Sequence, residues 1–330
     1  MSSYILYYDS GTTNTRAYLL DEEFRVCCVE KKNVGSRDSA ICGSNRVLIE
    51  GLKELYDRVL EKAAFGGEDI KAIYASGMIT SPYGLVEIPH SVVPLHVKDF
   101  ADELFCFHED SCLHRDVWLV PGLKTVNEDF SFVGNMRGEE IEIIGTLDEL
   151  HSRGIHNAAL IMPGSHTHVT YIKNDEVSDI ISNFTGELFH AIQKETILSP
   201  VLDREVKELD KAMVQKGVEN IGRFGFNRAL YICHAMRIMN TGTPEERYSY
   251  AEGVVNGGIR LSLEYYCEHR WKDCDTVAVV SDEFMYKLFS MIFEGSPYIK
   301  HVVWLPISAD KSYAVEGLRK IISVKGDKHE

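Results

Sequence analysis

Asp9-Ser10-Gly11-Thr12-Thr13-Asn14 combines the residue types that handle phosphate. A glycine lets the backbone approach a ligand, hydroxyls and amides donate to phosphate oxygens, and a carboxylate can hold a hydrated Mg²⁺. The same residues also make an ordinary polar hairpin turn, and the segment alone does not choose between the two. A second turn rich in small residues and donors, Pro163-Gly164-Ser165-His166-Thr167, follows much later. Two such turns facing each other across a cleft would clamp the phosphates of a nucleotide from both sides.

The elements that position these turns are written twice. Tyr4-Ile5-Leu6-Tyr7-Tyr8 reads as a strand entering the first turn, and residues 15–20 and 24–29, separated by Asp21-Glu22-Glu23, read as two more strands of an antiparallel meander. Matching Gly164 to Gly11 sets Ala158-Ala159-Leu160-Ile161 on the first strand, Ser165 on Thr12, Tyr171 on Tyr18 and Glu176 on Glu23, at a constant offset of 153 residues. That is the pattern of an internally duplicated fold. Over residues 45–65, Leu48, Leu52, Leu55, Tyr56, Val59, Leu60 and Ala63 recur at helical spacing and predict one buried face. Residues 72–75, 117–120, 276–280 and 300–304 read as strands and 246–268 as a helix, so helix and strand alternate as in an α/β protein. The halves are expected to divide between Ile141 and Gly154, giving domains of residues 1–148 and 149–330.

A chain of 330 residues suits two cores. With 45% hydrophobic and 26% charged residues and no run of eighteen apolar residues, no membrane span is expected. Met1-Ser2-Ser3-Tyr4 lacks the basic and apolar regions of a secretion signal, which predicts a cytoplasmic protein. The eight cysteines include no C-x-x-C pair and read as reduced thiols. A net charge of −15 without a basic run argues against nucleic acid as a partner, so anionic ligands must be held by local donors. A homodimer is compatible with these properties and is not specified by them.

Six segments carry a family resemblance: residues 9–16, Gly77-Met78, Pro121-Gly122, Asn135-Met136-Arg137-Gly138-Glu139-Glu140, Met162-Pro163-Gly164-Ser165-His166 and Thr185-Gly186-Glu187-Leu188. On them the chain resembles the 2-dehydro-3-deoxygalactonokinase family of the actin, sugar kinase and Hsp70 superfamily. The resemblance implies two actin-like (ribonuclease H-like) α/β domains around a central cleft, the first on the substrate side and the second on the nucleotide side. It also implies Mg²⁺-assisted transfer of the γ-phosphoryl of ATP to the terminal 6-hydroxyl of a small sugar acid, 2-dehydro-3-deoxy-D-galactonate. Asp9 would then organise Mg²⁺, and Gly11, Thr12, Thr13, Asn14, Gly164, Ser165 and His166 would cradle phosphates, with Ser281 on the nucleotide side. Arg137 would hold the substrate carboxylate in a two-pronged ion pair, with Arg16 second. Glu139 or Glu140 would accept the hydroxyl proton, or bind sugar hydroxyls or metal instead, and Gly77, Met78, Asn135, Thr185 and Glu187 would line the substrate.

Plainer readings stand beside these. Arg137 next to two glutamates also suits a surface ion pair, His166 a structural hydrogen bond, Thr185 a helix N-cap, and Gly77-Met78 a simple turn. The pattern breaks after the strand 276–280, where kinases of the superfamily have a glycine-rich turn against adenosine and this chain has Ser281-Asp282-Glu283. Side chains there crowd a base and carboxylates repel phosphate, so altered nucleotide binding is expected. Met162 replaces an aspartate common in the superfamily, a departure that the resembled family shares. Gly253, Gly257 and Gly258 fit either close packing or a purine pocket, and Ala309-Asp310 with Ala314-Val315-Glu316-Gly317 resemble the family's last helix. The alternatives are a kinase for another hexose or keto-deoxy acid and a catalytically silent sensor of the same fold.

Overall fold

The computed structural model describes residues 3–64, 66–308 and 311–327. These form two compact units: the first holds the chain to Gly154, Asp175–Val177 and the segment after Ser308, and the second holds Ile155–Asn174 and Ser178–Ser308.

In the first unit β1 (Tyr4–Ser10), β2 (Thr15–Leu20) and β3 (Val26–Lys32) form the expected antiparallel meander, and β1 pairs in parallel with β4 (Ile70–Gly77). After the two-residue strands β5 (Ser91–Val92) and β6 (Leu95–His96) come β7 (Phe105–Glu109), β8 (Arg115–Leu119), β9 (Leu123–Lys124) and β10 (Asn135–Met136). The main sheet runs β3-β2-β1-β4-β8-β7, and β10-β9-β5 form a small separate sheet. Strand β3 starts later than residue 24 because Phe24 takes φ 61° in a turn closed by its N–H on the Asp21 carbonyl (3.0 Å).

Helices α1 (Ser36–Cys42), α2 (Arg46–Ala63), α3 (Val97–Phe100) and α4 (Glu139–Ser152) complete the first stretch of this unit. The stripe on α2 behaves as its spacing requires: Leu48, Leu52, Leu55, Tyr56 and Val59 join a core with Leu6, Tyr8, Ala17 and Leu19, while Leu60 and Ala63 lie at its margin. The expected division between residues 141 and 154 is occupied by α4. This helix belongs to the first core because Ile141, Ile143, Ile144, Leu147 and Leu150 are buried.

The second unit contains β11 (Asn157–Met162), β12 (His166–Lys173), most of β13 (Glu176–Phe184), β14 (Thr276–Ser281) and β15 (His301–Pro306). Its strand order is β15-β14-β11-β12-β13, with β11–β12 antiparallel and β11–β14 and β14–β15 parallel. The first unit has the same order in β8-β4-β1-β2-β3, with the same senses in the three pairings that correspond to these. The duplication is therefore real at the level of sheet topology, and each sheet is of the actin-like, ribonuclease H-like kind. Its register is not the ungapped one. The second hairpin pairs Met162 with His168 where the first pairs Asp9 with Arg16, so its turn is one residue shorter. With the first strands matched, Thr170 rather than Tyr171 occupies the place of Tyr18, and Glu176 begins a strand instead of sitting in a turn.

The remaining helices are α5 (Gly186–Glu195), α6 (Ser199–Leu202), α7 (Lys211–Phe224), α8 (Phe226–Ile238), α9 (Pro244–His269), α10 (Glu283–Phe293) and α11 (Tyr313–Asp327). Helix α9 begins with a capping box of Thr243 and Glu246 followed by proline, which fixes its start two residues before the expected one. Helix α11 includes Ala314–Gly317 as expected and packs on α4 in the first unit, whereas Ala309-Asp310 lie outside the described residues. No helix among the described residues is long and apolar enough to cross a membrane.

Each unit has one helix crossing made by direct backbone approach. A Cβ at Gly145 of α4 would sit 1.9 Å from the Tyr313 carbonyl oxygen, and one at Gly317 of α11 would sit 1.9 Å from that of Ile141. In the second unit Gly217 of α7 and Gly253 of α9 stand in the same relation to Tyr250 (2.4 Å) and Val214 (2.1 Å). Gly257 also packs on α7, whereas a Cβ at Gly258 would meet nothing within 4 Å. Gly253→Ala is therefore expected to destabilise the protein by about 1–3 kcal/mol through overpacking. Gly258→Ala, five residues along the same helix, should stabilise it by about 0.5–1 kcal/mol through helix propensity. Urea unfolding of the two variants checks the contrast, and equal shifts would refute the packing assignment.

Candidate active site

In the first unit, segments far apart in sequence meet at the carboxyl end of the parallel strands. Gly11–Asn14 form the β1–β2 turn, closed by the Gly11 N–H donating to the Asn14 carbonyl (2.8 Å). The start of α1 presses on this turn: Ser36 and Arg37 N–H donate to the Gly11 and Thr12 carbonyls (3.3 and 3.0 Å), and a Cβ at Gly35 would lie 2.4 Å from the Thr12 oxygen. Thr15 Oγ1 bonds Ser10 Oγ (3.0 Å) and the Val34 carbonyl (2.8 Å) beneath it. The backbone is held from behind while Thr12 and Thr13 remain exposed and Asn14 Nδ2 donates to Thr13 Oγ1 (2.9 Å).

Strand β4 ends beside this hairpin with Gly77 paired to Ser10. Gly77 has φ 89°, and a Cβ there would lie 2.4 Å from the Ser10 carbonyl oxygen, so glycine is required both by conformation and by space. Gly138, with φ 120°, is the N-cap of α4, and a Cβ on it would touch Gly77 Cα at 3.5 Å. Asp9, Gly77 and the start of α4 are thereby gathered into one place. Half-buried Met78 opens the turn after Gly77, and exposed Asn135 lies on β10 paired with Lys124.

Electrostatically the site is a cluster of desolvated carboxyls. Asp9 is ion-paired to Arg16 across the hairpin (3.1 Å), yet burial still raises its pKa against the pull of that arginine. The first turn of α4 carries Glu139, Glu140 and Glu142. Burial raises Glu139, with a further push from Asp9. Burial lifts Glu142 to about 8, reinforced by Asp9 and Glu139 and opposed by Arg16. Glu140 is also lifted to about 8, by burial and then by Glu139. It is fully buried, and its Oε2 accepts the Gly138 N–H (2.6 Å) while no described residue bonds its Oε1. Sequence reading passed over Glu142. Its signal was present, since recognising Gly138 as a helix start places Glu142 one turn beyond Glu139 on the same face.

Arg137 is not a surface ion pair. Four of its five N–H donors are engaged: Nη1 donates to the carbonyl (2.7 Å) and hydroxyl of Thr80, and Nη2 to the Ile88 carbonyl (3.1 Å) and His90 Nδ1 (3.1 Å). His90 is held neutral, its pKa pushed down to about 4 by burial and by the guanidinium. Arg137 therefore braces the segment that follows Gly77 onto the start of α4, and Arg16 is the more exposed arginine at this end of the sheet.

The second unit brings Gly164, Ser165 and His166 together with Thr185 and Glu187. Thr185 is the N-cap residue of α5, as its sequence position suggested, but its hydroxyl bonds Thr167 Oγ1 (2.7 Å) instead of capping the helix. A Cβ at Gly186 would lie 2.2 Å from the Gly164 carbonyl oxygen, and the Glu187 N–H donates to that of Ser165 (2.9 Å). A helix start thus backs this turn just as α1 backs the first. His166 is exposed, 3.5 Å from the Glu187 carboxylate and packed on Phe184. Ser281 ends β14 and is buried, bonding the Asp282 carbonyl with its hydroxyl (2.8 Å). The missing glycine turn has a local cause: Asp282 caps α10 by accepting the Met285 N–H (2.9 Å).

Comparison with known proteins agrees with this arrangement. A family model described as 2-keto-3-deoxy-galactonokinase matches residues 9–305. The 2-dehydro-3-deoxygalactonokinase of Escherichia coli (strain K12) is 22% identical over 273 residues, covering 82% of this chain and 84% of that protein. A Rhizobium meliloti (strain 1021) protein named "Probable 2-dehydro-3-deoxygalactonokinase DgoK1" is 26% identical over 198 residues, 60% of this chain and 59% of its own. A solved structure from Sinorhizobium meliloti, of a protein named "putative 2-dehydro-3-deoxygalactonokinase", shares the fold with a TM-score of 0.75 at 21% identity and 99% coverage of both chains. With its family match running through both units, the chain belongs to the 2-keto-3-deoxy-galactonokinase family and is a sugar kinase, a phosphotransferase.

Proposed function

We propose that this kinase transfers the γ-phosphoryl group of ATP to the terminal 6-hydroxyl of 2-keto-3-deoxy-galactonate, yielding the 6-phosphate and ADP. The observation that carries the reading is the meeting of Asp9, Gly77 and the Gly138–Glu142 helix start at one sheet end, in a chain that matches the family over residues 9–305.

Phosphoryl transfer asks a protein for alignment and charge neutralisation more than for covalent chemistry. The amides and hydroxyls of Thr12–Asn14 and of Gly164–His166 are neutral donors suited to phosphate oxygens, which fits a chain whose net charge of −15 repels anions at long range. Asp9 is the carboxylate suited to Mg²⁺, being a hard oxygen donor that burial makes costly to leave charged. Among the described residues no three His, Cys, Asp or Glu side chains could together hold a metal ion. Asp9 would hold Mg²⁺ as a single protein carboxylate, and the ion would supply charge neutralisation for the transferred group. The attacking hydroxyl must lose a proton as its bond to phosphorus forms. Glu142 suits that role, since its pKa near 8 lies close to working pH. Glu140 does not, although its pKa is lifted equally: its carboxyl is fully buried and bound to the Gly138 amide, so it holds the helix start in place, whereas Glu142 keeps part of its surface exposed.

Arg16 takes the substrate carboxylate in this reading, because the donors of Arg137 are already engaged. A panel of keto-deoxy sugar acids assayed for ADP formation tests the activity directly, and ligand-induced stabilisation without turnover on any of them would favour the sensor instead. Arg16→Ala should raise KM for the acid about 10–100-fold, the worth of a charged hydrogen bond, and change KM for ATP far less. An equal loss on an analogue lacking the carboxylate would remove Arg16 from this role.

The glutamates separate by a second test. Glu142→Gln should lower kcat by about 100-fold or more, whereas Glu140→Gln, which preserves the protonated shape, should retain most activity. The folded pKa of Glu140, about 8, lies above its ordinary 4.5, so the folded state holds the extra proton between those values. Its contribution to stability is full below 4.5 and is lost as pH rises through 8. Urea unfolding of wild type against Glu140→Gln across that window should show a steeper decline in wild type. Superimposable profiles would contradict the assignment.

A further inference from the structure

The second unit carries a recess at the end of its sheet opposite to the turn Gly164–His166. It is lined by Tyr171, Lys173, Ser178, Asp179, Arg270 and Trp271, and its volume is about 420 Å³, inside the range of roughly 300–1,000 Å³ in which small-ligand sites fall. His166 begins β12 and Lys173 ends it, so roughly 20 Å of strand separates the recess from that turn. Phosphoryl transfer gives it no task. One wall is aromatic and fixed in place. Trp271 is 2% exposed, donates its indole N–H to Asp179 Oδ2 (2.9 Å) and stacks on Tyr171 with centroids 5.0 Å apart. Asp179 is itself 8% exposed, and its charge is answered inside the wall by Arg270 Nε (3.4 Å), the Trp271 indole and the Ile180 N–H on Oδ1 (2.9 Å). The rim is cationic. Lys173 has three N–H donors, and among the described residues its one ion-pair partner is Asp273 at 3.3 Å, which does not line the recess. With side chains 48% and 65% exposed, that pair is weak and yields to a ligand at little cost.

We propose that this recess is a second ligand site, for a small monocarboxylate with a flat apolar body such as an aromatic acid. Two cations and one carboxylate line it, a balance of +1 that a single negative charge cancels and that a cation would increase. The ligand carboxylate takes the Lys173 ammonium at the rim, with the Arg270 guanidinium beside it, through charge-assisted hydrogen bonds. Its apolar body lies against Tyr171 and Trp271 and removes their exposed edges from water. Because Trp271 is already held by Asp179 and Tyr171, the wall needs no ordering when the ligand arrives, which lowers the cost of binding. Local charge is what makes such a site possible in a chain whose net charge of −15 repels anions at a distance.

Equilibrium dialysis of the full chain against radiolabelled benzoate tests the site without reference to turnover. Wild type should bind one equivalent with a Kd on the order of 1 mM, as suits so small a ligand. Lys173→Met should weaken binding about 10-fold or more, the worth of a charged hydrogen bond. Its melting temperature should stay within about 2 °C of wild type, since only an exposed ion pair is lost. Benzylamine, with the same ring and the opposite charge, should not bind, and acetate, with the charge and no ring, should bind at least about 10-fold more weakly than benzoate. Arg16→Ala should bind benzoate as wild type does, which separates this recess from the carboxylate position assigned to the substrate. Absence of saturable binding below about 10 mM, undiminished binding by Lys173→Met, equal binding of benzylamine or acetate, or loss of binding in Arg16→Ala would overturn the proposal.

Discussion

The Ser10 carbonyl, the Gly77 backbone and the Gly138 cap meet so closely that no β-carbon fits at residue 77, and the site of the first unit depends on that approach. Through it, a turn between strands, the end of a parallel strand and the start of a helix come within one side chain's reach, although they are separated by more than sixty residues at each step. Arg137 secures the same junction by tying Thr80, Ile88 and His90 to the residue before the cap. An arginine flanked by glycine and two glutamates looks like a ligand clamp in sequence. In the fold it is a brace, and the difference is that four donors find partners from a segment no local reading connects to it.

That junction also gives the site its charge character. Helix starts favour acidic side chains, and α4 offers three in its first turn, but burial beside Asp9 removes the water that would stabilise them all as anions. The carboxyls consequently differ in what they can do. Both Glu140 and Glu142 are lifted to about 8, but Glu140 is fully buried on the Gly138 amide, whereas Glu142, beside Asp9 and Arg16, keeps part of its surface exposed.

Duplication extends beyond the sheets. In both units a glycine at the start of the next helix rests on the carbonyls of the hairpin turn that follows the first strand, and in both a pair of glycines lets two helices cross with backbones in contact. The one residue fewer in the second turn does not disturb this plan, because the turn is anchored from behind by the helix and not by its own length. The family match and the sheet topology agree in extent, since both run through the two units.

Sequence by itself determined the strands around Gly11 and Gly164, the stripe of α2, the duplicated topology and the family, because periodicity, turn chemistry and rare local motifs are properties of neighbouring residues. Only the tertiary structure decided that α4 fills the expected division, that Glu142 belongs with Asp9, that Arg137 is engaged elsewhere, and that Gly253 and Gly257 are packing glycines. Those outcomes rest on burial and on partners distant in the chain. A side chain's proton affinity and free donors are set by what surrounds it in space, which local patterns do not encode.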